Sequence, residues 1–210
     1  TLVYDERASL AGQPVLHALL AGVSHYPHLP NGGGAPAPDS HGMEQLSSTA
    51  LSAFRMYQWL TDHREQLAAK LATCRILLSP PAAELAAEPL LQQLITAKHV
   101  EPCTLATFQA AAAAWRGGAS LSPADHTLFY FAGHGVQRSR GDQVLLLQDF
   151  GDGIGGTLGK AVTTKDLHHG MAPTNARSEI ATNQLYLLDA CRVLPEKFAN
   201  FFQLPTGVIW

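Results

Sequence analysis

Hydrophobic and polar positions alternate between two periods along this chain. Residues 127–132, Thr-Leu-Phe-Tyr-Phe-Ala, form an unbroken apolar run too short for a helix; it reads as a strand buried on both faces. The run leads directly into Gly133-His134-Gly135. Residues 184–190, Gln-Leu-Tyr-Leu-Leu-Asp-Ala, form a second such strand that ends at Cys191. Residues 15–23 form an earlier one, bounded by Pro14 and Ser24, and residues 75–79 another, stopped by Pro80-Pro81. Residues 143–148 make a short apolar strand.

Between these runs the period becomes helical. Leu46, Ala50, Ala53, Phe54, Tyr57 and Leu60 predict an amphipathic helix over 44–61. Asp62 and Glu65 form a capping box for a second helix through Leu71. Residues 82–98 read as helical with an interruption at Pro89. Thr104 caps a helix over 105–115, whose face carries Phe108, Ala111, Ala112 and Trp115, and Gly117-Gly118 ends it. Residues 136–142 read as a polar exposed loop, 149–161 as a mobile glycine-rich loop, and 163–167 as the start of a crossover helix carrying His168 and His169. A short helix over 195–203, with Phe198, Phe201 and Phe202, and the first half of a strand over 207–210 complete the pattern.

Composition narrows the classes. With 210 residues, 46% hydrophobic and 15% charged, the chain can bury one well-packed core. A net charge of −3 gives no reason to expect nucleic acid or an anionic membrane as partner. No apolar run approaches a membrane span. Cys74, Cys103 and Cys191 are an odd number without framework spacing, as in a reducing compartment, so a cytoplasmic protein is expected. Alanine-rich stretches at 82–87 and 110–114 fit a GC-rich bacterial genome.

Chemistry enters at the strand ends. The carboxyl edge of an open α/β sheet is where ligands bind, and two strands finish there with His134 and Cys191. They lie 57 residues apart, enough for one crossover with a helix and a loop. Neighbouring parallel strands would hold imidazole and thiol side by side, and a thiol needs such a base to form the attacking thiolate. The backbone N–H groups of Gly135 and Cys191 are candidate oxyanion donors at the same edge. Cys74 and Cys103 have no histidine-bearing strand end beside them and read as structural. His25 and His28 stand in a Gly/Pro-rich loop without a cysteine or acid to complete a metal set, so loop histidines are the simpler reading and no cofactor is expected.

Tyr-Phe-Ala-Gly-His-Gly at 130–135 and Leu-Leu-Asp-Ala-Cys-Arg at 187–192 resemble the caspase and metacaspase clan of cysteine peptidases. The caspase signature reads Gln-Ala-Cys-[Arg/Gln/Gly]-Gly, with its histidine about 50 residues upstream. Here Asp-Ala-Cys-Arg-Val keeps the centre and departs at both ends. The resemblance covers roughly residues 15–210 and implies a caspase-like α/β domain, a three-layer sandwich with a mostly parallel central sheet and helices on both faces. It implies a protein-cleaving Cys191/His134 dyad without a third catalytic residue. Asp189 follows the metacaspases, where this position binds Arg or Lys; Arg138, Arg140 and Arg177 then become candidate self-cleavage sites. Three departures stand out: Arg192-Val193 replaces the usual His-Ser-Gly, Ser52 occupies the place of a second pocket acid, and 82–98 exceeds the usual connection and reads as an insertion. Calcium activation is therefore not expected. Because the clan's distal strands and pocket loops have no counterpart here, a further segment of the same domain or a regulatory subunit is expected as partner, and the chain alone is expected to aggregate or be inactive. A non-catalytic caspase-like module for assembly or signalling is the alternative, opposed by the retention of both His134 and Cys191. A nucleotide-binding domain is disfavoured, because no Gly-x-Gly-x-x-Gly follows the first strand.

Overall fold

A computed structural model describes residues 1–139, 142–156, 158–174 and 179–191. Its centre is β2 (Val15–Val23), where Ala18, Leu19, Leu20, Ala21 and Val23 are completely buried. Such a strand needs cover on both faces and partners on both edges. It pairs in parallel with β3 (Lys70–Ser79) on one side and β4 (His126–Gly133) on the other. β8 (Asn183–Ala190) extends the sheet in parallel beyond β4, and β1 (Leu2–Asp5) closes the far side antiparallel to β3. The order is β1-β3-β2-β4-β8, a mixed and mostly parallel sheet.

Strand alternation divides the core. Leu128, Tyr130 and Ala132 of β4 face the side covered by α1 (Thr49–Asp62), where Ala50, Ala53, Phe54 and Leu60 are buried. Phe129 and Phe131 face the side covered by α4 (Leu105–Ala119), against Phe108 and Trp115. Truncating a fully buried aromatic such as Phe108 or Trp115 to Ala would cost about 3–5 kcal/mol. Gly22 lets α1 approach: a Cβ there would lie 2.7 Å from the Ala50 Cα and the Ala53 Cβ. A smaller antiparallel sheet, β5-β6-β7, follows β4; it comprises β5 (Gly135–Ser139), β6 (Asp142–Leu146) and β7 (Ala161–Thr163). α5 (Thr164–Gly170) then leads back toward β8, and the Thr163 side chain caps it by accepting from the Asp166 N–H. Among the described residues, no helix is long and apolar enough to cross a membrane.

Several expectations need correction. No helix spans 62–71: the chain turns after Asp62, and β3 begins at Lys70 rather than Arg75. Residues 70–74 are claimed by β2, with Val15 beside Lys70 and Ala18 beside Cys74, and this pairing overrides the local capping signal. α4 continues through Gly117-Gly118 to the buried Ala119, and Gly118 lies against the His17 ring. The segment after His134 is not an exposed loop but β5, whose Val136 is buried; Arg138 lies on that strand. β1 and β7 were not anticipated. The break at Pro89 holds, dividing α2 (Ala82–Ala87) from α3 (Pro89–Lys98). The helix expected over 195–203, the strand from Gly207, and Arg140 and Arg177 lie outside the described residues.

On β2, at the end of the sheet remote from His134, one histidine is sealed in the core. His17 is 1% exposed; its Nδ1 meets the Thr73 hydroxyl at 2.8 Å and its Nε2 stands 3.6 Å from Asp125. Burial lowers its pKa, more than the Asp125 carboxylate raises it. The folded state therefore prefers the neutral ring. The unfolded chain takes up the proton first, so this contribution to stability is present above the ordinary histidine pKa of about 6.5 and is lost as pH falls below it. In thermal melts at pH 7.5 and 5.5, His17→Gln is expected to lose less stability on acidification than the parent. An unchanged difference between the two pH values would remove His17 from the account.

Candidate active site

The parallel register of β4 and β8 sets the site. Gly133 lies beside Ala190, so the next residues, His134 and Cys191, leave neighbouring strands together at the carboxyl edge. Adjacent strands run about 4.8 Å apart. Cys191 is exposed, whereas Cys74 and Cys103 are buried, and burial raises the pKa of both buried thiols. Of the three, only Cys191 is exposed, and it follows the strand next to the one that leads into His134.

His134 is held from three directions. Its N–H donates to the Tyr26 hydroxyl at 2.8 Å, and that hydroxyl donates to the Leu146 carbonyl at 3.2 Å. The Leu146 N–H returns a bond of 3.0 Å to the His134 carbonyl. The imidazole lies over the Tyr26 ring with centroids 4.9 Å apart. Its Nε2 is 2.7 Å from the carbonyl oxygen of Glu44. A carbonyl only accepts, so Nε2 carries the hydrogen, and in the neutral ring Nδ1 keeps the lone pair. Burial lowers the His134 pKa and so favours the neutral ring; the bond to Glu44 opposes this without reversing it.

Tyr26 was not anticipated in this role. It follows β2 at the same sheet edge and is fully buried, and burial keeps its hydroxyl protonated as a donor. Its N–H donates to Gln45 Oε1 and its carbonyl accepts from Gln45 Nε2, each at 2.8 Å. Glu44 and Gln45 together thus tie the segment before α1 to both Tyr26 and His134. A tyrosine immediately after the first buried strand was the available signal for Tyr26; for Glu44 there was none, since its contribution is a main-chain oxygen.

Gly135 joins the two strand ends. The Leu146-to-His134 bond makes Gly135 and Leu145 a non-hydrogen-bonded pair, so the Gly135 N–H points away from β6. A Cβ on Gly135 would lie 2.8 Å from the Cys191 carbonyl oxygen and 3.0 Å from the Ala190 Cβ. Only a glycine fits there without moving the end of β8.

Asp189 is exposed on β8, in register with Ala132 and on the same face as Tyr130. The Tyr130 hydroxyl interacts with both Asp189 and Ser52; burial and the Asp189 charge raise its pKa, and Ser52 opposes them. The structure therefore brings Ser52 and Asp189 to the same tyrosine. The Ser52 hydroxyl donates to the Ser48 carbonyl at 2.9 Å. His25 and His28 close their own loop, with ring nitrogens 2.9 Å from the Gly32 and 2.7 Å from the Ala35 carbonyl. His168 and His169 are exposed on α5, with His168 beside the Tyr186 ring.

The arrangement offers a solvent-facing thiol, an imidazole with a lone pair on Nδ1, a nearby main-chain N–H and a carboxylate two residues before the thiol. Gly135→Ala tests how closely its geometry is set. The added methyl is expected to destabilise the protein by about 1–3 kcal/mol through overpacking. It should also slow alkylation of Cys191 by iodoacetamide far more than that of Cys191 in a stability-matched core variant. Equal rates in the two variants would show that Gly135 does not set the thiol's position.

Neither a protein-family model nor a curated protein matches this chain.

Proposed function

We propose that the chain is a caspase-like cysteine endopeptidase domain that cleaves proteins through Cys191 and His134. The register of Gly133 with Ala190 carries this reading, because it delivers the thiol and the imidazole to one edge of the sheet. The Cys191 sulfur attacks the scissile carbonyl carbon while its proton passes to His134. The backbone N–H groups of Gly135 and Cys191 receive the oxyanion. When the C–N bond breaks, His134 returns the proton to the departing amine. Water then attacks the thioester, releasing the acid product and the free thiol. Retention of the Nδ1 lone pair, fixed by the Nε2 contact with Glu44, supports the proton-transfer role. Three unpaired thiols suit a reducing cytoplasm, and an activated effector in signalling, defence or cell death is the setting we favour.

Cys191→Ala and His134→Ala should each abolish peptide hydrolysis while leaving the circular dichroism spectrum and the thermal midpoint near those of the parent. A Cys191→Ala protein that cleaves at the parental rate would end the assignment.

Asp189 sets the expected specificity. Its carboxylate on the Tyr130 side of β8 would meet the substrate side chain before the scissile bond. A guanidinium there gains charge-assisted bonds, and an acidic side chain meets like charge. Truncating one partner of a desolvated pair costs on the order of 2–5 kcal/mol, equivalent to roughly tens to thousands-fold in rate. A peptide-library profile should therefore show Arg or Lys before the cut, with most of that preference lost in Asp189→Ala. Preference for Asp or for small apolar residues would overturn this assignment of the pocket.

A further inference from the structure

The segment that holds His134 is itself held by a residue the chemistry does not use. α1 begins at Thr49, and its N-cap, Ser48, makes no side-chain capping bond. Ser48 also adopts φ 72°, ψ 1°, a left-handed conformation that a residue with a Cβ avoids. Such a conformation persists only where its surroundings fix it. The first N–H groups of a helix need acceptors from elsewhere, and here two come from one buried carboxylate. Glu84, on α2, accepts from the Ser48 N–H at 2.5 Å and from the Leu51 N–H at 3.1 Å. Glu84 is 8% exposed. It belongs to the 82–98 stretch, which the caspase-clan resemblance marks as an insertion.

Ser48 stands midway between two parts of the site. Four residues before it, the Glu44 carbonyl accepts from His134 Nε2. Four residues after it, Ser52 returns a bond to the Ser48 carbonyl and interacts with Tyr130 beside Asp189. Before Ser48 the chain is tied down by the Leu46 N–H to the Ser24 carbonyl and by Gln45 to Tyr26 and the Pro30 carbonyl; after it, the Thr49 hydroxyl donates to the Val23 carbonyl and the Ala50 N–H to Ser24 Oγ. Removing the Glu84 carboxylate would leave two N–H groups without acceptors beside a strained residue. The simplest relief is for Ser48 to leave the left-handed region, and that rotation would carry the Glu44 carbonyl away from the imidazole.

We propose that Glu84 is a positioning residue: acting through Ser48, it holds the Glu44 carbonyl on His134 and Ser52 on the Tyr130–Asp189 side of the pocket. The inference rests on the peptidase reading for its functional meaning, but its geometry can be tested separately. In the full chain, the nitrogen shifts of His134 distinguish the Nε2–H tautomer from the Nδ1–H tautomer. The parent should show Nε2–H. Glu84→Ala should shift His134 toward a mixture of tautomers and slow iodoacetamide alkylation of Cys191 roughly ten-fold or more. Glu84→Gln keeps one acceptor oxygen and should fall between them. Ser48→Gly on the Glu84→Ala background should restore both readouts, because glycine holds a positive φ without strain.

A folded Glu84→Ala protein with the parental tautomer and alkylation rate would overturn the proposal, whatever its melting temperature, since Glu84 would then be a helix cap alone. If Glu84→Ala does not fold, the same comparison is made between Glu84→Gln and Glu84→Gln with Ser48→Gly. A tautomer shift in the variants without peptidase activity in the parent would reject the peptidase reading and keep the positioning role.

Discussion

The parallel pairing of β4 with β8 is the constraint on which this structure depends. One residue of slip would place Cys191 beside Gly133 or Gly135 and turn every β8 side chain to the opposite face. Leu187 and Asp189 would then face α4, and Tyr186 and Leu188 would lose their places beside the Phe129 side of the core. Packing therefore enforces the same register that brings thiol and imidazole together. Core and site are not separable, because the same alternation serves both.

Around that register the polar groups close a circuit. Tyr26, Leu146 and His134 bond to one another through a hydroxyl, two carbonyls and two N–H groups, in a place where an unpaired polar atom would be costly. The circuit joins the first strand of the parallel sheet to the β5–β6 hairpin through a single tyrosine. It also explains why β5 forms at all: once the His134 carbonyl has accepted from Leu146, the following residues are already aligned for an antiparallel ladder.

The parts of the fold legible in the sequence are those where one interaction dominates. β2 and β4 are read directly from their apolar runs, because parallel strands buried on both faces have few other sequences open to them. The run at 184–190 gives β8 as a strand, but β8 ends the sheet order and its described residues are half-buried or exposed rather than buried on both faces. The face of α4 and its Thr104 cap are read for the same reason: both are local. The failures are non-local. Residues 62–71 carry a capping signal, yet β2 recruits Lys70 and Leu71 as partners. Gly117-Gly118 resembles a helix terminus, yet the helix runs on to Ala119, which is buried in the core. The polar residues after Gly135 conceal a strand in which Gly135 and Val136 are buried. In the candidate site, His134, Cys191 and Gly135 were legible because a residue type stood at a strand end, and Asp189 through the metacaspase resemblance. Tyr26 and Gln45 were not, because their roles depend on a loop returning over the sheet edge.

The bond between His134 and Glu44 has a consequence for how such a site changes over generations. Its acceptor is a peptide oxygen, common to all twenty amino acids. Position 44 is therefore free to vary in side chain while the contact persists, and an alanine scan would pass over it in silence. Selection would act instead on the path of the main chain, at Ser48, Gln45 and the acid at 84. An alignment of columns, which records side chains, would show His134 and Cys191 and miss the main-chain oxygen that holds the imidazole.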